Sequence, residues 1–288
     1  MDIVQEAMLA AISEAEASLR EGNHGFGAVV ISDGVIVSRA RDREETEQDP
    51  TSHAETNAIR LAARAIGKDL SGCAIVSTHE PCPMCASAIV WSGIGEVAYG
   101  CSIESSMKQG CDRIAISCRE IFERSGKAIE TRPGVMAQEC ARLYDRDVRK
   151  ETKRLRAADE ERLRAFNRES TERRRKWFEE SGGAREFVRG DPLEDAYALL
   201  LRRLGISAEA APIVERTDTR IVFHSMNPCP TLEACRILGL DTRRVCEKYN
   251  EGATDALVKL IDPRLRFARN YERLRPQSAF CEEMIILE

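Results

Sequence analysis

Residues 74–93 read AIVSTHEPCPMCASAIVWSG and carry the most informative motif of the chain. The apolar run at residues 74–78 is typical of a short buried strand, and Pro83–Ser92 has the composition of a helix. Cys82 and Cys85 lie at the junction, three residues apart at the start of that helix. Thiolates are stabilised at a helix N-terminus because its backbone amides carry positive partial charge. The junction is therefore predicted to bind a metal ion.

A second motif, His53-Ala54-Glu55, begins another predicted helix at residues 53–66. His53 can add a nitrogen ligand to the two thiolates, and three protein ligands leave a fourth tetrahedral position for water. Zinc lowers the pKa of bound water to about 7. Glu55 need not be a ligand and is placed to move protons between that water and a substrate nitrogen. The sequence predicts one catalytic zinc ion per chain, held by His53, Cys82 and Cys85, with Glu55 as the catalytic residue.

A structural zinc site is the alternative interpretation of these residues. Structural zinc has four protein ligands, and Cys73, Cys101 or His79 could provide the fourth. Buried thiols around a core histidine would be a second alternative, without metal. We favour the catalytic site because the two motifs together match the H-x-E…P-C-x-x-C pattern of zinc deaminases.

Strands and helices alternate in the first half of the chain. Residues 3–20 have the pattern of an amphipathic helix, and Gly27–Ser32 and Val35–Arg41 that of two strands around a turn. Residues 96–100 are predicted to form a further strand. This alternation predicts an α/β domain in which helices cover a sheet.

The first half of the chain resembles the cytidine deaminase superfamily, and within it the branch of guanine deaminases and tRNA adenosine deaminases. The resemblance rests on residues 25–30 (GFGAVV), 49–55 (DPTSHAE) and 80–85 (EPCPMC). It implies a three-layer α/β/α domain with a five-stranded sheet, and hydrolytic deamination with release of ammonia. It also implies the same zinc ligands, the same proton-moving role for Glu55, and a homodimer or higher homo-oligomer.

Four further residues are predicted to contact the substrate. Trp91 matches a position where an aromatic residue of guanine deaminases stacks on the purine, and Phe26 matches a pocket phenylalanine; core packing is the alternative for both. Asp42 stands where the family usually has asparagine, so it favours a substrate group that donates hydrogen bonds. A turn-capping role is the alternative for Asp42. His79 could reach the substrate or lie at the surface.

Charge is distributed unevenly along the chain, which has a net charge of −5. Residues 1–144 hold 14 basic and 21 acidic residues, whereas residues 145–180 hold 13 and 10. Phosphate contacts dominate the affinity of proteins for nucleic acid. The acidic first segment therefore favours a small heterocyclic substrate over nucleic acid, although the basic segment could compensate.

Three domains or segments are predicted. Residues 1–144 form the deaminase domain, residues 145–183 one long charged helix that serves as a linker, and residues 184–288 a smaller α+β accessory domain of unknown role. Within the last, residues 195–205, 234–240 and 242–261 are expected to be helical and residues 219–227 a strand.

The accessory domain contains four cysteines at irregular spacing, Cys229, Cys235, Cys246 and Cys281. The spacing matches no zinc-ribbon template, so buried thiols are the first interpretation and a second metal site or a thiol site is the alternative.

Short motifs at residues 227–230 (NPCP), 262–263 and 281–283 give this domain a similarity to a family named after 2-aminothiazoline-4-carboxylate hydrolase. No activity is transferred from that similarity.

The sequence thus predicts a zinc-dependent hydrolase that deaminates an amino-substituted nitrogen heterocycle, with a guanine-type base or nucleoside as first choice. The alternatives are a tRNA adenosine-to-inosine deaminase and a regulatory or binding protein with structural zinc. A run of about 18 apolar residues, which a membrane-spanning helix needs, does not occur. The acidic N-terminal stretch is unlike a secretory signal, so the eleven cysteines are expected to be thiols in the cytoplasm.

Overall fold

The computed structural model describes residues 2–288. The chain forms two compact units, with the boundary between Arg156 and Ala157. In the described residues we find no helix that is long and apolar enough to cross a membrane.

The first unit is built on a five-stranded sheet in the order β2-β1-β3-β4-β5. β1 pairs antiparallel with β2 and β3, whereas β3, β4 and β5 are parallel. The strands predicted from the sequence are confirmed, with ends that differ by one residue at most, and β5 had no prediction. The strands are β1 (Gly27–Ser32), β2 (Val35–Arg41), β3 (Ala74–His79), β4 (Glu96–Cys101) and β5 (Glu130–Pro133).

Helices cover both faces of this sheet, as the family resemblance implied. Ala28 and Val30 of β1 share one buried cluster with α3, α4 and α6, and alternate residues of a strand point to the opposite face. On that other face α1 packs so closely that a Cβ at Gly27 would come within 1.9 Å of the Ala11 carbonyl oxygen. The helices are α1 (Ile3–Glu21), α2 (Glu44–Glu47), α3 (Ala54–Ile66), α4 (Pro83–Ser92), α5 (Ile103–Lys108), α6 (Cys118–Ser125), α7 (Ala137–Ala141) and α8 (Arg146–Leu155).

The prediction of one long helix over residues 145–183 is wrong. The segment contains α8 in the first unit and α9 (Glu160–Glu180) in the second. Each helix has its own N-cap, because Asp145 accepts from the Val148 amide and Asp159 accepts from the Arg162 amide. Each also buries its own apolar face within its unit. The high charge content concealed two separate helix starts.

The second unit combines helices with a four-stranded antiparallel sheet in the order β6-β7-β9-β8. The predicted helix over residues 242–261 forms with a π-helical segment, Cys246–Glu251, in its middle. The strands are β6 (Ile213–Arg216), β7 (Arg220–Ser225), β8 (Leu265–Arg269) and β9 (Cys281–Leu287). The remaining helices are α10 (Ala184–Phe187), α11 (Pro192–Leu204), α12 (Pro230–Leu238), α13 (Thr242–Val245) and α14 (Gly252–Val258).

Candidate active site

Two helix starts bring a histidine and two cysteines together. His53 is the N-cap residue of α3, Cys82 is the N-cap residue of α4, and Cys85 lies in the first turn of α4. The His53 Nδ1 atom lies 3.6 Å from the Cys82 sulfur and 3.5 Å from the Cys85 sulfur. The three ligand atoms are all within 4.8 Å of one another. A nitrogen and two sulfurs in this arrangement suit a tetrahedral zinc ion.

The electrostatics of this cluster also fit a divalent cation. A hydrogen bond from Cys85, helped by His53, lowers the pKa of Cys82 to about 4. The hydrogen bond to Cys82 in turn raises the pKa of His53 to about 9. The three side chains interact strongly with one another, and a divalent cation would bind them as thiolates and a neutral imidazole with release of their protons.

The group has three members among the described residues, which leaves it open on one side. Cys73 and Cys101, proposed as a fourth ligand, do not join it. His79 uses both ring nitrogens elsewhere, Nδ1 at 2.8 Å from the Glu80 carbonyl oxygen and Nε2 at 2.8 Å from the Ser106 hydroxyl. A three-ligand site is the arrangement of catalytic rather than structural zinc.

Glu55 lies in the first turn of α3 and is only 4 % exposed. Its Oε1 accepts a hydrogen bond of 2.9 Å from the Ser77 hydroxyl of β3. Burial raises the pKa of the Glu55 carboxyl above its ordinary value. A buried carboxyl group with a raised pKa beside the three ligand side chains can accept and return a proton more readily than an ordinary exposed carboxylate.

A cavity of about 220 Å³ opens beside this cluster. Phe26 forms part of its wall, with its ring stacked on Tyr144 at 5.1 Å and edge-on to His79 at 5.4 Å. Burial lowers the pKa of His79 to about 4, so the His79 side chain is neutral. The lining residues are His24, Phe26, Glu44, His53, Glu55, His79, Glu80, Cys82 and Arg113.

Two of the residues predicted to contact the substrate lie elsewhere. Trp91 is 90 % exposed near the end of α4 and lines a different surface cavity, because the face of α4 that it occupies points away from the sheet. Asp42 is 1 % exposed and lies behind the cavity wall. Its Oδ1 accepts from the His24 amide, and its Oδ2 has no partner among the described residues. Asp42 therefore backs His24 and His53 and does not face the cavity.

Sequence reasoning missed Arg113 and did not single out Glu44 as a site residue. The Arg113 guanidinium lies 5.0 Å above the Phe26 ring, and its Nε and Nη2 are buried without an acceptor in the described part of the chain. Glu44 places Oε2 at 3.6 Å from His24 Nε2 and 3.8 Å from His53 Nε2. No motif surrounds Arg113, so no signal in the sequence pointed to it. Glu44 belongs to an acidic run that resembles an ordinary solvated surface.

Glu80 supports the site from behind. Its two carboxylate oxygens accept from the Ile103 and Cys118 amides, both at 3.0 Å. These amides lie at the starts of α5 and α6, where backbone donors have no partner inside the helix. Glu80 thereby fixes the loop between β3 and α4 that carries Cys82.

The four cysteines of the second unit do not form a metal-binding group within the described residues. Cys229, Cys246 and Cys281 line one cavity, whereas Cys235 is buried in α12. The structure, which describes every cysteine of the chain, joins none of the eleven thiols in a disulfide. The alternative of a second metal site or a thiol site in this unit stays a prediction.

Comparison with known proteins points to one family. The profile of the cytidine and deoxycytidylate deaminase zinc-binding region matches residues 1–101. The chain is 35 % identical over 153 residues to the tRNA-specific adenosine deaminase of Bacillus subtilis (strain 168), covering 52 % of this chain and 92 % of that protein. It is 39 % identical over 88 residues to the guanine deaminase of the same strain, covering 30 % of this chain and 56 % of that protein.

A similar solved structure comes from work on A-to-I editing by tRNA:A34 deaminases. It is 29 % identical with a TM-score of 0.43, and the match covers 48 % of this chain and 98 % of that one. The region matched by the family profile contains His53, Glu55, Cys82 and Cys85.

Proposed function

Because this chain belongs to the cytidine deaminase superfamily of zinc-dependent hydrolases, we propose that it releases ammonia from a small amino-substituted heterocycle, with a guanine-type base or nucleoside as first candidate. The observation that supports this proposal most strongly is the open His53, Cys82 and Cys85 cluster with the buried Glu55 carboxyl beside it. The family profile is that of a zinc-binding deaminase region, and two relatives are named as adenosine and guanine deaminases, whereas the substrate of this chain is our proposal.

The roles of the site residues follow from their positions. His53, Cys82 and Cys85 would hold zinc, which supplies Lewis acidity that activates water near neutral pH. Glu55 would hold a proton taken from the attacking water and pass it to the leaving amino nitrogen. Ser77 binds Glu55 Oε1 and so fixes the carboxyl group while its other oxygen exchanges the proton. Glu80 positions Cys82 through its contacts to α5 and α6.

The cavity suits a flat heterocycle with donors and acceptors on its edge. Phe26 offers a ring face for stacking. Arg113 has two buried donors without an acceptor, which suit an oxo group or ring nitrogen. Glu44 offers a carboxylate acceptor for a ring N–H or an amino group, the role that the sequence had assigned to Asp42. A volume of about 220 Å³ accommodates a base more readily than a large ligand.

The tRNA alternative is favoured by the 35 % identity to a tRNA-specific adenosine deaminase over 92 % of its length. Charge argues against it. Glu44 and Glu45 flank His24 at the cavity, and the first 144 residues hold more acidic than basic side chains. Phosphates approaching such a rim would be repelled. The third interpretation, a regulatory protein with structural zinc, loses support because a fourth protein ligand is not provided by the described residues.

A substrate panel tests the proposal. Ammonia release is measured with the zinc-loaded full chain on guanine, adenine, cytosine, their nucleosides, a pterin, and a tRNA anticodon stem-loop. We expect turnover of a free base or nucleoside, and weaker or no turnover of the RNA. Turnover confined to the RNA would overturn the small-substrate proposal and support the tRNA alternative.

Two matched variants test the recognition roles. Glu44→Gln should change the relative rates among bases, because it converts an acceptor that faces the substrate into a group that also donates. Asp42→Asn should lower all rates together, because Asp42 touches His24 rather than the cavity. If Asp42→Asn changed the relative rates and Glu44→Gln lowered all rates together, Asp42 would be the residue that selects the substrate, as first expected from the sequence.

We also propose a homodimer in the cytoplasm. An almost fully exposed tryptophan on α4, at 90 % exposure, is costly in water and suits burial against a second copy. The eleven cysteines without disulfides suit a reducing compartment. Light scattering should give the mass of a dimer for the wild type and that of a monomer for Trp91→Ser. A monomeric wild type would contradict the proposal.

A further inference from the structure

A second cavity of about 300 Å³ lies entirely within residues 157–288. It is bordered by α9, α11, the start of α12, the π-helical segment and the sheet strands β7, β8 and β9. Apolar side chains form much of its wall, among them Leu200, Phe223, Phe267 and Leu274. Pockets that take small ligands typically combine such apolar walls with a few convergent polar groups.

The polar groups of this cavity are mainly positive. Four arginines line it, Arg174, Arg203, Arg269 and Arg275, against a single lining carboxylate, Glu283. Glu283 is already engaged, because it accepts from Arg269 Nε at 2.7 Å and from the Ser225 hydroxyl at 2.5 Å. The protein therefore leaves most of the positive charge in this cavity without a counter-charge.

Of the four arginines, Arg269 provides the strongest indication of a ligand. Its side chain is 11 % exposed, and it lies over the Phe267 ring at 4.8 Å. The Nη1 atom is buried and has no hydrogen-bond acceptor in residues 2–288. Buried donors on charged groups are almost always paired in folded proteins, so this atom lacks an acceptor that a ligand could supply.

The neighbours of Arg269 do not neutralise it. Arg174 donates to the Thr254 hydroxyl at 2.7 Å, and burial together with the charge of Arg269 lowers the pKa of Arg174 to about 10. Burial raises the pKa of the Cys229 thiol, and it raises that of Cys246 to about 12, so these two thiols contribute no negative charge near neutral pH.

The start of α12 adds to the positive potential. Cys229, the N-cap residue of this nine-residue helix, and Thr231 in its first turn both line the cavity. The Cys229 thiol faces the Leu232 amide but is only a weak acceptor, so it satisfies the amides of the first turn poorly. A helix N-terminus attracts anions because its amides carry positive partial charge.

We propose that this cavity binds a small organic oxyanion, a carboxylate or a phosphate monoester with an apolar body. The anionic group lies at Arg269 and Arg174, where planar guanidinium groups can bind two oxygens at once. The apolar body packs on Leu200 and Phe223. All lining residues belong to the second unit, so the proposal does not rest on the proposed deaminase function.

Binding of three probes to the zinc-loaded full chain tests the proposal. Benzoate and phenyl phosphate carry the anionic group on the same ring, and benzamide is the neutral control. We expect saturable binding of at least one anion at one per chain, with benzamide at least about tenfold weaker, measured by calorimetry. The stronger anion identifies which oxyanion the cavity prefers. Equal affinity for all three probes, or no anion binding at about 10 mM, would overturn the proposal.

Substitutions of the lining arginines test whether the anion binds in this cavity. Arg269→Lys keeps the charge beside Glu283 but loses the fork of donors, and it should weaken the bound anion about tenfold or more. Arg266→Lys is the matched control on the same strand, because Arg266 is 48 % exposed and pairs with Glu288; its affinity should stay within about twofold of the wild type. Arg174→Lys provides a second test if Arg269→Lys does not fold, as judged by near-UV circular dichroism. Unchanged affinity in a folded Arg269→Lys or Arg174→Lys variant would show that the anion binds elsewhere.

Discussion

The two cavities of this protein place opposite charges in similar amounts of space. The cavity of the first unit, about 220 Å³, is lined by one thiol, three imidazoles, one guanidinium group and the carboxylates of Glu44, Glu55 and Glu80. The cavity of the second unit, about 300 Å³, gathers four guanidinium groups around one carboxylate that is already paired. The donor groups of the first suit a metal cation, and those of the second suit an anion. Burial raises the free energy of an uncompensated charge in both cavities. A ligand of opposite charge would therefore stabilise each of them.

The largest expected effect is the loss of ammonia release when the side chain at position 55 in the first cavity can no longer move a proton. Glu55→Gln keeps the shape and the hydrogen bond to Ser77 but cannot move a proton, so the rate of ammonia release should fall by about 10²–10⁴ or more. The zinc content, measured by mass spectrometry, should stay at that of the wild type. Glu45→Gln, an exposed neighbour of His24, is the control and should retain most of the activity. A Glu55→Gln variant that releases ammonia at the wild-type rate would show that Glu55 takes no part in the reaction.

The next effect tests the buried pair that holds the second cavity together. Glu283→Gln leaves the Arg269 guanidinium without its counter-charge, and breaking such a buried pair costs about 3–5 kcal/mol in the free energy of unfolding. Glu288→Gln is the control at the end of the same sheet, where the exposed pair with Arg266 contributes at most about 1 kcal/mol. Urea unfolding of the full chain measures both. A loss in Glu283→Gln no greater than in Glu288→Gln would contradict a buried, tightly paired Arg269.

An effect of intermediate size is the pH dependence of the free energy of unfolding that the buried, neutral His79 in the first cavity produces. Burial lowers the pKa of His79 to about 4 in the folded chain, whereas an unfolded histidine titrates near pH 6.5. Since the unfolded state binds the proton first, the contribution of His79 is complete above about pH 6.5 and is lost as the pH falls towards 4. Between about pH 7 and pH 5 the wild type should lose about 2 kcal/mol more than His79→Asn. Parallel losses in the two proteins, at equal zinc content, would show that His79 is not buried in its neutral form.

The smallest effect compares one buried hydroxyl in each unit. Tyr144 donates to the Thr78 hydroxyl at 2.7 Å in the first unit, and Tyr197 donates to the Ala211 carbonyl oxygen at 2.6 Å in the second. Tyr144→Phe and Tyr197→Phe should each lower the free energy of unfolding by about 1 kcal/mol. Calorimetric melting of the two variants measures both losses. A variant as stable as the wild type would mean that the hydroxyl in question finds an equally good partner in the unfolded chain.

The zinc cluster could be read from the sequence because its ligands lie in two short motifs at helix starts. Cys82 and Cys85 follow shortly after the end of β3 at the start of α4, and His53 is the N-cap residue of α3, so local rules for helix starts apply to all three. Arg113 could not be found this way. It reaches the cavity from an irregular segment, and its position depends on tertiary packing that no local pattern records.

The second unit shows the same limit more strongly. Its cavity draws on residues from Arg174 to Glu283, which come together only when the antiparallel sheet has formed. The sequence predicted β7 and most of the helices, but not α10, β6, β8 or β9. The four cysteines were interpreted first as buried thiols, with a metal or thiol site as the alternative, and three of them line the cavity together with four arginines. Similarity to the 2-aminothiazoline-4-carboxylate hydrolase family stays a prediction.

Ammonia release measured against zinc content tests the central claim most directly. The full chain is stripped with a chelator, reloaded with increasing zinc, and assayed on the substrate panel at each step. Our account predicts that ammonia release from at least one heterocycle disappears on stripping and returns in proportion to zinc, up to one ion per chain. A chain that binds one zinc ion but releases no ammonia from any compound of the panel would contradict it.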